Sequence, residues 1–353
     1  MSSRRRTRRG TRQLVVVPDP PQRLRVLVTG ASGLLGRRTA ERLVAAGHDV
    51  RTFQRRPAGV PGATDSLGSL TDPAAVARAV EGRDAVVHLA AKVSVSGPRE
   101  EYERVNVEGT RTLLTAARMV GVHRFVHVSS PSVAHTGGSL VGAGAGPAEP
   151  ERARGHYART KAAAEQLALR ADDADFAVVA VRPHIVWGPG DTQLVERIVQ
   201  RARAGRLPLL DHGAVLVDTL YVDNAADALV AALERAPQVR GQALVVTNGE
   251  PRPVGDIIGG ICRAAGAPVP GWRVPAALAR AAGAVVEAVW AVRPGRDEPP
   301  MTRFLAEQLS TAHWFDQRRT RELLGWEPAV SIDEGLDRLA EHYRALRLSG
   351  SRQ

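Results

Sequence analysis

A glycine turn between a short apolar run and a helical pattern constrains the fold most. Gly30, Gly33 and Gly36 follow the run Arg25–Thr29 and open the pattern Leu34–Gly47. The first glycine permits a tight turn, the second lets a diphosphate approach the backbone, and the third lets helix and strand pack closely. Free N–H groups at the helix start would then face the phosphate charge. The motif predicts a strand, a turn and a helix that together bind a dinucleotide.

Beyond the turn, β-branched runs alternate with helical patterns. This succession predicts an α/β protein, a Rossmann-type doubly wound parallel sheet with a smaller, mostly helical C-terminal substrate lobe. We assign residues 1–22 to a basic arm, 23–190 to the dinucleotide-binding domain and 191–348 to the lobe, with some strands or helices of the lobe returning to the main domain.

The predicted elements follow from the same periodicities. The predicted strands after the first are Val50–Gln54, Asp84–Ala90, Arg124–Ser129, Phe176–Val181, Val217–Tyr221 and Ala243–Thr247. The predicted helices are one capped by Asp72 with Pro73 at its first position, then Glu100–Val120, Tyr157–Asp172, Thr192–Ala204, Asp223–Arg235, Val254–Gly266, Pro275–Val292, Asp316–Leu324 and Ser331–Leu346. The segment 137–150 is either a mobile lid or a variable surface loop.

Charge and cysteine content narrow the class of protein. The formal net charge is +11, and six of those charges are arginines of the basic arm, which we interpret as a disordered solvated tail rather than a tether for nucleic acid or membrane. The single cysteine, Cys262, excludes an intrachain disulfide and suits the cytoplasm. No run reaches the ~18 apolar residues of a membrane span. Three roles stay open for the predicted helix Pro275–Val292: contact with a membrane surface, lining of the substrate pocket, and packing in the core of the lobe.

The end of the second strand bears on cofactor choice. An NAD enzyme usually holds the ribose hydroxyl there with a carboxylate, whereas this strand ends in Gln54, Arg55 and Arg56. A guanidinium suits a 2′-phosphate. We therefore expect NADP(H) with Arg55 as its partner, and NAD(H) bound without a carboxylate clamp as the alternative.

A tyrosine and a lysine four residues apart, Tyr157 and Lys161, share one helix face. A free tyrosine has a pKa of about 10, and a neighbouring ammonium would lower it toward the range of a general acid or base. Ser129 and Ser130 follow a predicted strand, at the sheet edge where ligands bind. The three residue types predict proton transfer to a carbonyl oxygen that a hydroxyl holds. His123 and His127 surround a strand, so we expect no metal site.

Taken together, the motifs resemble an extended short-chain dehydrogenase/reductase of the NAD-dependent epimerase/dehydratase superfamily, over about residues 24–346. They are Gly30-x-x-Gly33-x-x-Gly36, His88-Leu89-Ala90-Ala91, Asn106-Val107-x-Gly109-Thr110, Ser129-Ser130, Tyr157-x-x-x-Lys161, Arg182-Pro183, Gly188-Pro189-Gly190 and Tyr221-Val222-Asp223-Asn224. The resemblance implies Ser130, Tyr157, Lys161 and Asn106 as the catalytic group. It implies cofactor contacts from Gly30, Ser32, Gly33, Leu34, Gly36, Arg55, Leu70, Ala90, Tyr157, Lys161 and His184. Ser69 replaces the aspartate that commonly contacts adenine.

The residues that follow Arg182-Pro183 favour one branch of this family. Nucleotide-sugar epimerases and dehydratases typically carry an asparagine where this chain has Ile185. The chain is similar instead to the 3β-hydroxysteroid dehydrogenase-like branch, and within it to bacterial 2-alkyl-3-oxoalkanoate reductases, which use NADPH. In those reductases the position that corresponds to Val133 is followed by an aromatic and an acidic residue. This chain has Ala134 and His135 there. The C-terminal segments Glu298–Phe304 and His313–Asp316 extend the likeness.

The expected function is an NAD(P)H-dependent interconversion of a ketone and a secondary alcohol on an apolar small molecule. In this mechanism Tyr157 protonates the forming alkoxide, Ser130 holds its oxygen and Lys161 lowers the pKa of the tyrosine. The alternatives are a nucleotide-sugar epimerase or dehydratase, and an NAD(P)-binding regulatory protein. The resemblance also leads us to expect a homodimer, and we expect no specific nucleic-acid partner.

Overall fold

Seven parallel strands form the central sheet of the computed structural model, which describes residues 23–93, 97–135, 137–292, 307 and 309–350. The predicted basic arm and the segment Glu298–Phe304 lie outside these residues. None of the described helices is both long and apolar enough to cross a membrane.

The bounds of the elements agree closely with the predicted ones in the first half of the chain. The strands are β1 Arg25–Thr29, β2 Asp49–Gln54, β3 Thr64–Leu67, β4 Ala85–His88, β5 Arg124–Val128, β6 Leu140–Ala143, β7 Ala177–Pro183, β8 Val186–Trp187, β9 Leu209–Leu210, β10 Leu216–Val217, β11 Leu220–Tyr221, β12 Ala243–Val246, β13 Arg252–Pro253, β14 Arg273–Val274 and β15 His313–Phe315. The helices are α1 Leu34–Ala45, α2 Pro73–Val80, α3 Arg99–Tyr102, α4 Gly109–Met119, α5 Gly155–Arg170, α6 Val195–Arg203, α7 Val222–Glu234, α8 Ala236–Val239, α9 Val254–Ala265, α10 Ala276–Val292, α11 Arg318–Leu324 and α12 Ile332–Gly350.

The strand order is β12-β7-β5-β4-β1-β2-β3, with parallel pairing throughout. The chain runs outward from β1 to β2 and β3, and then resumes on the other side of β1 at β4. Ligands of such sheets bind where the order reverses, at the carboxyl ends of the two strands that meet there. The crevice between the ends of β1 and β4 is therefore the predicted dinucleotide site, and the fold prediction is confirmed.

Alternating side chains of the strands fill two cores. Val26 and Val28 of β1 pack with α1 and α7 on one face, while Leu27 packs with α2 and α4 on the other. This alternation follows from the two-residue period of a strand, and burial on both faces explains the continuous apolar runs. Asp72 caps α2 as predicted, since its Oδ1 accepts from the backbone N–H groups of Ala74 and Ala75, and Pro73 is the first helical residue.

The predicted helix Glu100–Val120 is interrupted in the structure. A π-helical stretch covers Glu103–Glu108 between α3 and α4, and it contains Asn106. The extra residue of a π turn leaves the 3.6-residue apolar pattern almost unchanged, which is why the sequence did not reveal it. Such turns are frequent at functional sites because they redirect a side chain.

The C-terminal half departs more from the predicted elements. The predicted strand Val217–Tyr221 is two short strands, β10 and β11, and the predicted helix Asp316–Leu324 begins only at Arg318. The residues before it form β15, which pairs in parallel with β6 inside the segment 137–150. These strands are too short to show a periodicity of their own. They form because segments far apart in sequence pair with each other.

Several elements beyond residue 190 lie with the central sheet, among them β12, α7 and α8. β12 is its edge strand next to β7, and α7 covers the face that α1 also covers. The remaining lobe has its own apolar core, in which Ile257 and Ile261 of α9 pack with Val199 of α6 and Leu339 of α12.

Candidate active site

The glycine turn has the backbone that the motif predicts. Gly30 adopts φ +78°, and a Cβ there would lie 2.9 Å from both N and Cα of Ala90. At Gly36 a Cβ would lie 2.8 Å from the carbonyl carbon of Gly30, which is closer than side chains tolerate. Gly33 meets no such neighbour, because its nearest atom, Gly30 O, would be 3.5 Å away. Two of the glycines therefore close the turn, and Gly33 leaves an open surface for a ligand.

The start of α1 is ready to receive an anion. Its N-cap is Gly33, no side chain caps it, and its first turn carries no acidic residue. Ser32 is exposed and Leu34 half-buried at this end of the helix. Uncapped N–H groups at a helix start, next to a glycine that admits a close approach, fit a diphosphate. The predicted turn residues therefore suit a dinucleotide.

Leu70 and Ala90 occupy different positions relative to this turn. Ala90 contacts Gly30, whereas Leu70 is buried against Gly109 of α4. Ser69 is engaged locally: its Oγ lies 2.8 Å from Thr71 Oγ1. Leu70 therefore packs in the core beside α4, and its predicted contact with the cofactor stays a prediction.

The loop after β2 is held by a carboxylate that sequence reasoning did not single out. Asp65 of β3 accepts hydrogen bonds from Thr52 Oγ1 at 2.5 Å, from Gln54 Nε2 at 2.8 Å and from the Ala58 N–H at 3.1 Å. These bonds, led by that of Thr52, lower the pKa of Asp65. Arg55 stands exposed on the loop, and no carboxylate of the described residues forms an ion pair with it.

A buried chain of hydrogen bonds joins the glycine turn to the helix containing Asn106. The Ala90 N–H donates to Thr29 Oγ1, which lies 2.8 Å from His88 Nδ1, and His88 Nε2 lies 2.9 Å from Thr110 Oγ1. Because Thr110 donates its proton to the Asn106 carbonyl, His88 Nε2 must donate to Thr110, and Nδ1 accepts from Thr29. Burial lowers the pKa of His88 to about 3, so the ring stays neutral as this chain requires.

Asn106 continues the chain to the helix that carries the tyrosine and lysine. Its Oδ1 accepts from the Lys92 N–H at 2.7 Å, and its Nδ2 donates to Thr160 Oγ1 at 3.0 Å. Thr160 in turn donates to the backbone of α5, at the carbonyls of His156 and Tyr157. Asn106 therefore links the loop at Lys92 to α5, the helix that carries Tyr157 and Lys161.

Ser130, Tyr157 and Lys161 meet at the carboxyl end of β5. Ser132 Oγ donates to Ser130 Oγ at 3.0 Å, which leaves the Ser130 proton for another acceptor. Burial raises the pKa of Tyr157 above its ordinary value, and the neighbouring Ser130 hydroxyl opposes that rise. Lys161 is buried and its Nζ donates to the carbonyl of Val128 at 2.6 Å.

The position of Lys161 differs from the expected one. In this structure its ammonium bonds the backbone rather than the tyrosine, and it is not among the causes of the pKa shift of Tyr157. Burial lowers the pKa of Lys161 itself to about 8. Burial raises the pKa of the tyrosine in this structure, where we expected the ammonium to lower it.

A cavity of about 150 Å³ opens in front of Ser130 and Tyr157. It is lined by Ser130, Pro131, Ser132, His135, Leu140, Tyr157, His184, Ile185, His313 and Phe315. His184 lies at the end of β7, and its Nδ1 donates to the Asp218 carbonyl at 2.7 Å. His184, a predicted cofactor contact, therefore lines the same cavity as Ser130 and Tyr157. No lining residue is an arginine or lysine.

A second cavity of about 300 Å³ adjoins the first. The two share Pro131, Leu140 and Phe315, and the walls of the second come mainly from residues 143–147. These residues are alanines, glycines and a proline, and the charged side chains of Glu149 and Arg152 complete the lining. Residues 137–150, predicted to be a lid or a loop, thus contribute β6 and a cavity wall.

Ile185 adopts a left-handed backbone, with φ +47°. A β-branched residue is strained there, at a cost on the order of 1–2 kcal/mol, whereas asparagine tolerates the conformation. The conformation therefore matches the asparagine of the nucleotide-sugar enzymes, but the side chain is apolar and lines the cavity.

Sequence reasoning missed three cavity residues, His135, His313 and Phe315. His313 and Phe315 belong to the segment His313–Asp316, which resembles the family, and His135 stands where this chain departs from the family pattern. No signal placed them together, because 178 residues separate the two histidines. No three His, Cys, Asp or Glu side chains in the described part of the chain could hold a metal ion.

Known proteins resemble the chain over nearly its whole length. A 2-alkyl-3-oxoalkanoate reductase of Stenotrophomonas maltophilia is 44% identical over 324 residues, which cover 90% of this chain and 98% of that protein. A 3-beta-hydroxysteroid dehydrogenase of Mycolicibacterium neoaurum is 30% identical, covering 91% of this chain and 92% of that protein. Both are named as enzymes that oxidise or reduce at a carbon–oxygen bond.

Solved structures share the fold. MoeE5 in complex with UDP-glucose and NAD has a TM-score of 0.69 at 25% identity and covers 91% of this chain and 99% of its own. The crystal structure of gox2253 has a TM-score of 0.72 at 27% identity, covering 91% and 98%. The sequence profile of the NAD dependent epimerase/dehydratase family matches residues 26–246. The chain therefore belongs to the NAD dependent epimerase/dehydratase family, and it is an oxidoreductase of that family.

Proposed function

We propose that the chain reduces a 2-alkyl-3-oxoalkanoate, or a closely similar 3-oxo acid, to the 3-hydroxy acid with NADPH. The observation that carries the proposal is the small cavity in which Ser130 and Tyr157 face apolar and histidine side chains. The identity of 44% to a reductase of this name over nearly its full length supports it. The lining of the cavity that holds Ser130 and Tyr157 contains no arginine or lysine, so this cavity itself offers a diphosphate no cationic side chain.

A nicotinamide held by the glycine turn would supply the hydride for the ketone carbon. Ser130 donates its proton toward the ketone oxygen, because its own oxygen already accepts from Ser132. Tyr157, whose pKa is raised by burial, is a neutral phenol at physiological pH and protonates the alkoxide as it forms. A protonated tyrosine is the state that reduction requires, so the raised pKa supports the reductive direction. Lys161, whose Nζ donates to the carbonyl of Val128 at the same strand end, would hold the ribose of a bound cofactor.

Substrate and cofactor panels test the proposal directly. We expect reduction of a 2-alkyl-3-oxo acid with NADPH, and a much smaller kcat/KM with steroid ketones or NADH. Turnover of UDP-glucose to its epimer, with no ketone reduction, would replace the proposal with the nucleotide-sugar alternative.

The preference for NADPH rests on Arg55. Its guanidinium is exposed beside the loop that Asp65 holds, and Asp65 is saturated by hydrogen-bond donors and so is not free for a ribose hydroxyl. We expect Arg55→Ala to weaken NADPH binding about tenfold, the loss typical of one charge-assisted hydrogen bond, and to leave NADH binding within twofold. Fluorescence titration of both cofactors measures this. Arg56→Ala, adjacent and equally exposed, is the comparison variant, and a larger effect there would contradict the assignment.

The pKa of Lys161 predicts that kcat/KM for the cofactor falls at alkaline pH. Because burial lowers that pKa to about 8, the ammonium is lost as the pH rises through this value. The kcat/KM for the cofactor reports groups of the cofactor-free enzyme, so we expect it to fall above about pH 8. The folded protein also binds fewer protons than the unfolded chain between pH 8 and the ordinary pKa of 10.5, so the contribution of Lys161 to stability rises with pH in that window. A profile of kcat/KM that stays flat to pH 9.5 contradicts the first expectation.

A further inference from the structure

The Arg182-Pro183 motif contributes a guanidinium that no step of the proposed reaction uses. Arg182 lies on β7 and Glu165 on α5, and each side chain is only 1% exposed. Arg182 Nε donates to Glu165 Oε2 at 2.9 Å, and its Nη2 donates to Oε1 at 2.5 Å. Its Nη1 donates to the carbonyl of Ala145. All three nitrogens of the guanidinium therefore have partners, and two of them fix the carboxylate of Glu165.

Stability alone is a weak reason for this buried ion pair. Removing two ions from water has a large free-energy cost, and well-packed apolar side chains of similar volume often stabilise a protein as much. Ala168 of α5 and Val178 of β7 belong to one apolar core cluster, so this helix and strand already contribute apolar packing. The carboxylate is better explained by a neighbouring group that needs a negative charge beside it.

Lys161 is such a group. It lies four residues before Glu165 on the buried face of α5, so the two side chains are neighbours on the helix. Its Nζ donates to the Val128 carbonyl at 2.6 Å, and only 4% of the residue is exposed, so water does little to stabilise the ammonium. Burial lowers the pKa of Lys161 to about 8, and the charge of Glu165 opposes this fall.

The other titratable groups around Lys161 are neutral. Burial, together with the charge of Lys161, lowers the pKa of His88 on β4 to about 3 and that of His127 on β5 well below its ordinary value. Tyr157, on the same helix as the lysine, stays a neutral phenol because burial raises its pKa. The guanidinium on β7 is paired with the carboxylate. Among the described residues, this one carboxylate therefore supplies the electrostatic support of the ammonium.

We propose that Glu165, held in place by Arg182, is a positioning residue that keeps Lys161 in its ammonium form. The inference rests on the proposed function, in which Lys161 holds the ribose, and it adds the pair that keeps this lysine charged. Because the carboxylate is bonded to the guanidinium, it acts on Lys161 through its charge and leaves the N–H groups of the ammonium to other acceptors. The pKa of Lys161 is close to physiological pH, so one neighbouring charge decides between ammonium and amine.

Proton linkage in unfolding tests the charge of Lys161 without substrate or cofactor. Glu165→Gln keeps the shape of the side chain and removes its charge, so the pKa of Lys161 should fall by about one further pH unit, the low end of the effect of a neighbouring opposite charge. At pH 6 the folded lysine is charged in both proteins, and at pH 9.5 it is neutral in both. The unfolding equilibrium constant of the variant, divided by that of the native protein, should therefore be about tenfold larger at pH 6 than at pH 9.5. Urea unfolding at the two pH values measures this ratio.

Three further variants isolate the cause. Glu165→Asp keeps the charge, and its ratio to the native protein should not change with pH. Asp172→Asn breaks another arginine–carboxylate pair, with Arg240 at 3.1 Å just beyond the end of α5, and should lower stability equally at both pH values. Should Glu165→Gln not fold, the double variant Glu165→Leu/Arg182→Met removes both buried ions and leaves neither unpaired. Its ratio should change with pH in the same direction.

Cofactor affinity extends the test to the site. In fluorescence titrations, the Kd for NADPH should rise above about pH 8 in the native protein and about one pH unit lower in Glu165→Gln. At pH 6 the two Kd values should agree within a few-fold. Damage to the site without a change of charge would instead weaken binding at every pH.

The outcomes separate this inference from the proposed function. A ratio of unfolding constants that is the same at pH 6 and pH 9.5, in whichever charge-removing variant folds, overturns the role of Glu165. If the ratio changes as expected while the Kd for NADPH does not depend on pH in either protein, the role of Glu165 stands and the assignment of Lys161 to the ribose fails. If no 3-oxo acid is reduced, the proposed function fails, and the unfolding ratio still decides whether Glu165 keeps Lys161 charged.

Discussion

Replacing Tyr157 with phenylalanine should lower kcat for ketone reduction by about 10²- to 10⁴-fold, the range in which positioned general acids contribute. The phenol lines the same cavity as Ser130, the serine that we propose to hold the ketone oxygen, so it is the proposed proton donor. Phenylalanine keeps the ring and its packing but removes that proton. The alkoxide would then have to take a proton from water.

Cofactor affinity provides the control for this variant. NADPH binding, followed by fluorescence, should remain within a few-fold of the native value, because the glycine turn and Arg55 are untouched. Tyr343→Phe, in the C-terminal lobe, removes an equivalent hydroxyl outside the cavity and should leave kcat within twofold. A Tyr157→Phe protein that keeps more than a tenth of the native kcat would refute the assignment of the acid.

Replacing Gly36 with alanine should damage both folding and cofactor binding. The added Cβ would lie 2.8 Å from the carbonyl carbon of Gly30 and 3.0 Å from Cα of Ala31, so backbone must move rather than a side chain. Such overpacking costs about 1–3 kcal/mol of unfolding free energy. The displacement of α1 from the turn should also weaken NADPH binding about 100-fold, as an ångström-scale misplacement does in other sites.

The variant Gly33→Ala separates the effect on folding from the effect on cofactor binding. Its Cβ would meet only Gly30 O, at 3.5 Å, and the backbone of Gly33 has φ −90°, which alanine adopts freely. We expect its unfolding free energy to stay within about 1 kcal/mol of the native value, as for other N-cap glycines. NADPH binding should still weaken, because the methyl group occupies the surface that the diphosphate approaches. Urea unfolding with cofactor titration measures both quantities, and equal stability loss at the two glycines would contradict this division.

The parts of the site that could be predicted are those that the local sequence determines. The glycine turn, the cap of α2 by Asp72 and the shared helix face of Tyr157 and Lys161 each depend on a few neighbouring residues. Their order along the chain then predicts the sheet, because parallel strands with crossover helices permit few arrangements. The confirmed fold follows from these local signals.

The parts that could not be predicted depend on distant contacts or on burial. The Nζ of Lys161 bonds the carbonyl of Val128, and nothing in the spacing of tyrosine and lysine reveals that choice. The π turn around Asn106 and the left-handed Ile185 are backbone conformations that residue types alone disfavour or leave open. His135 and His313 meet only because β6 and β15 pair. Each of these features is set by packing that forms after the local elements.

The pairing of β6 with β15 also has a consequence for biosynthesis. A chain is made from its N-terminus, and its early segments begin to fold while later ones are still being added. The glycine turn, Arg55 and Tyr157 all leave the ribosome well before His313 and Phe315, which complete the cavity wall. Loop closure over so long a separation is slow compared with helix formation. We therefore expect a growing chain to become able to bind its dinucleotide before it can enclose a ketone.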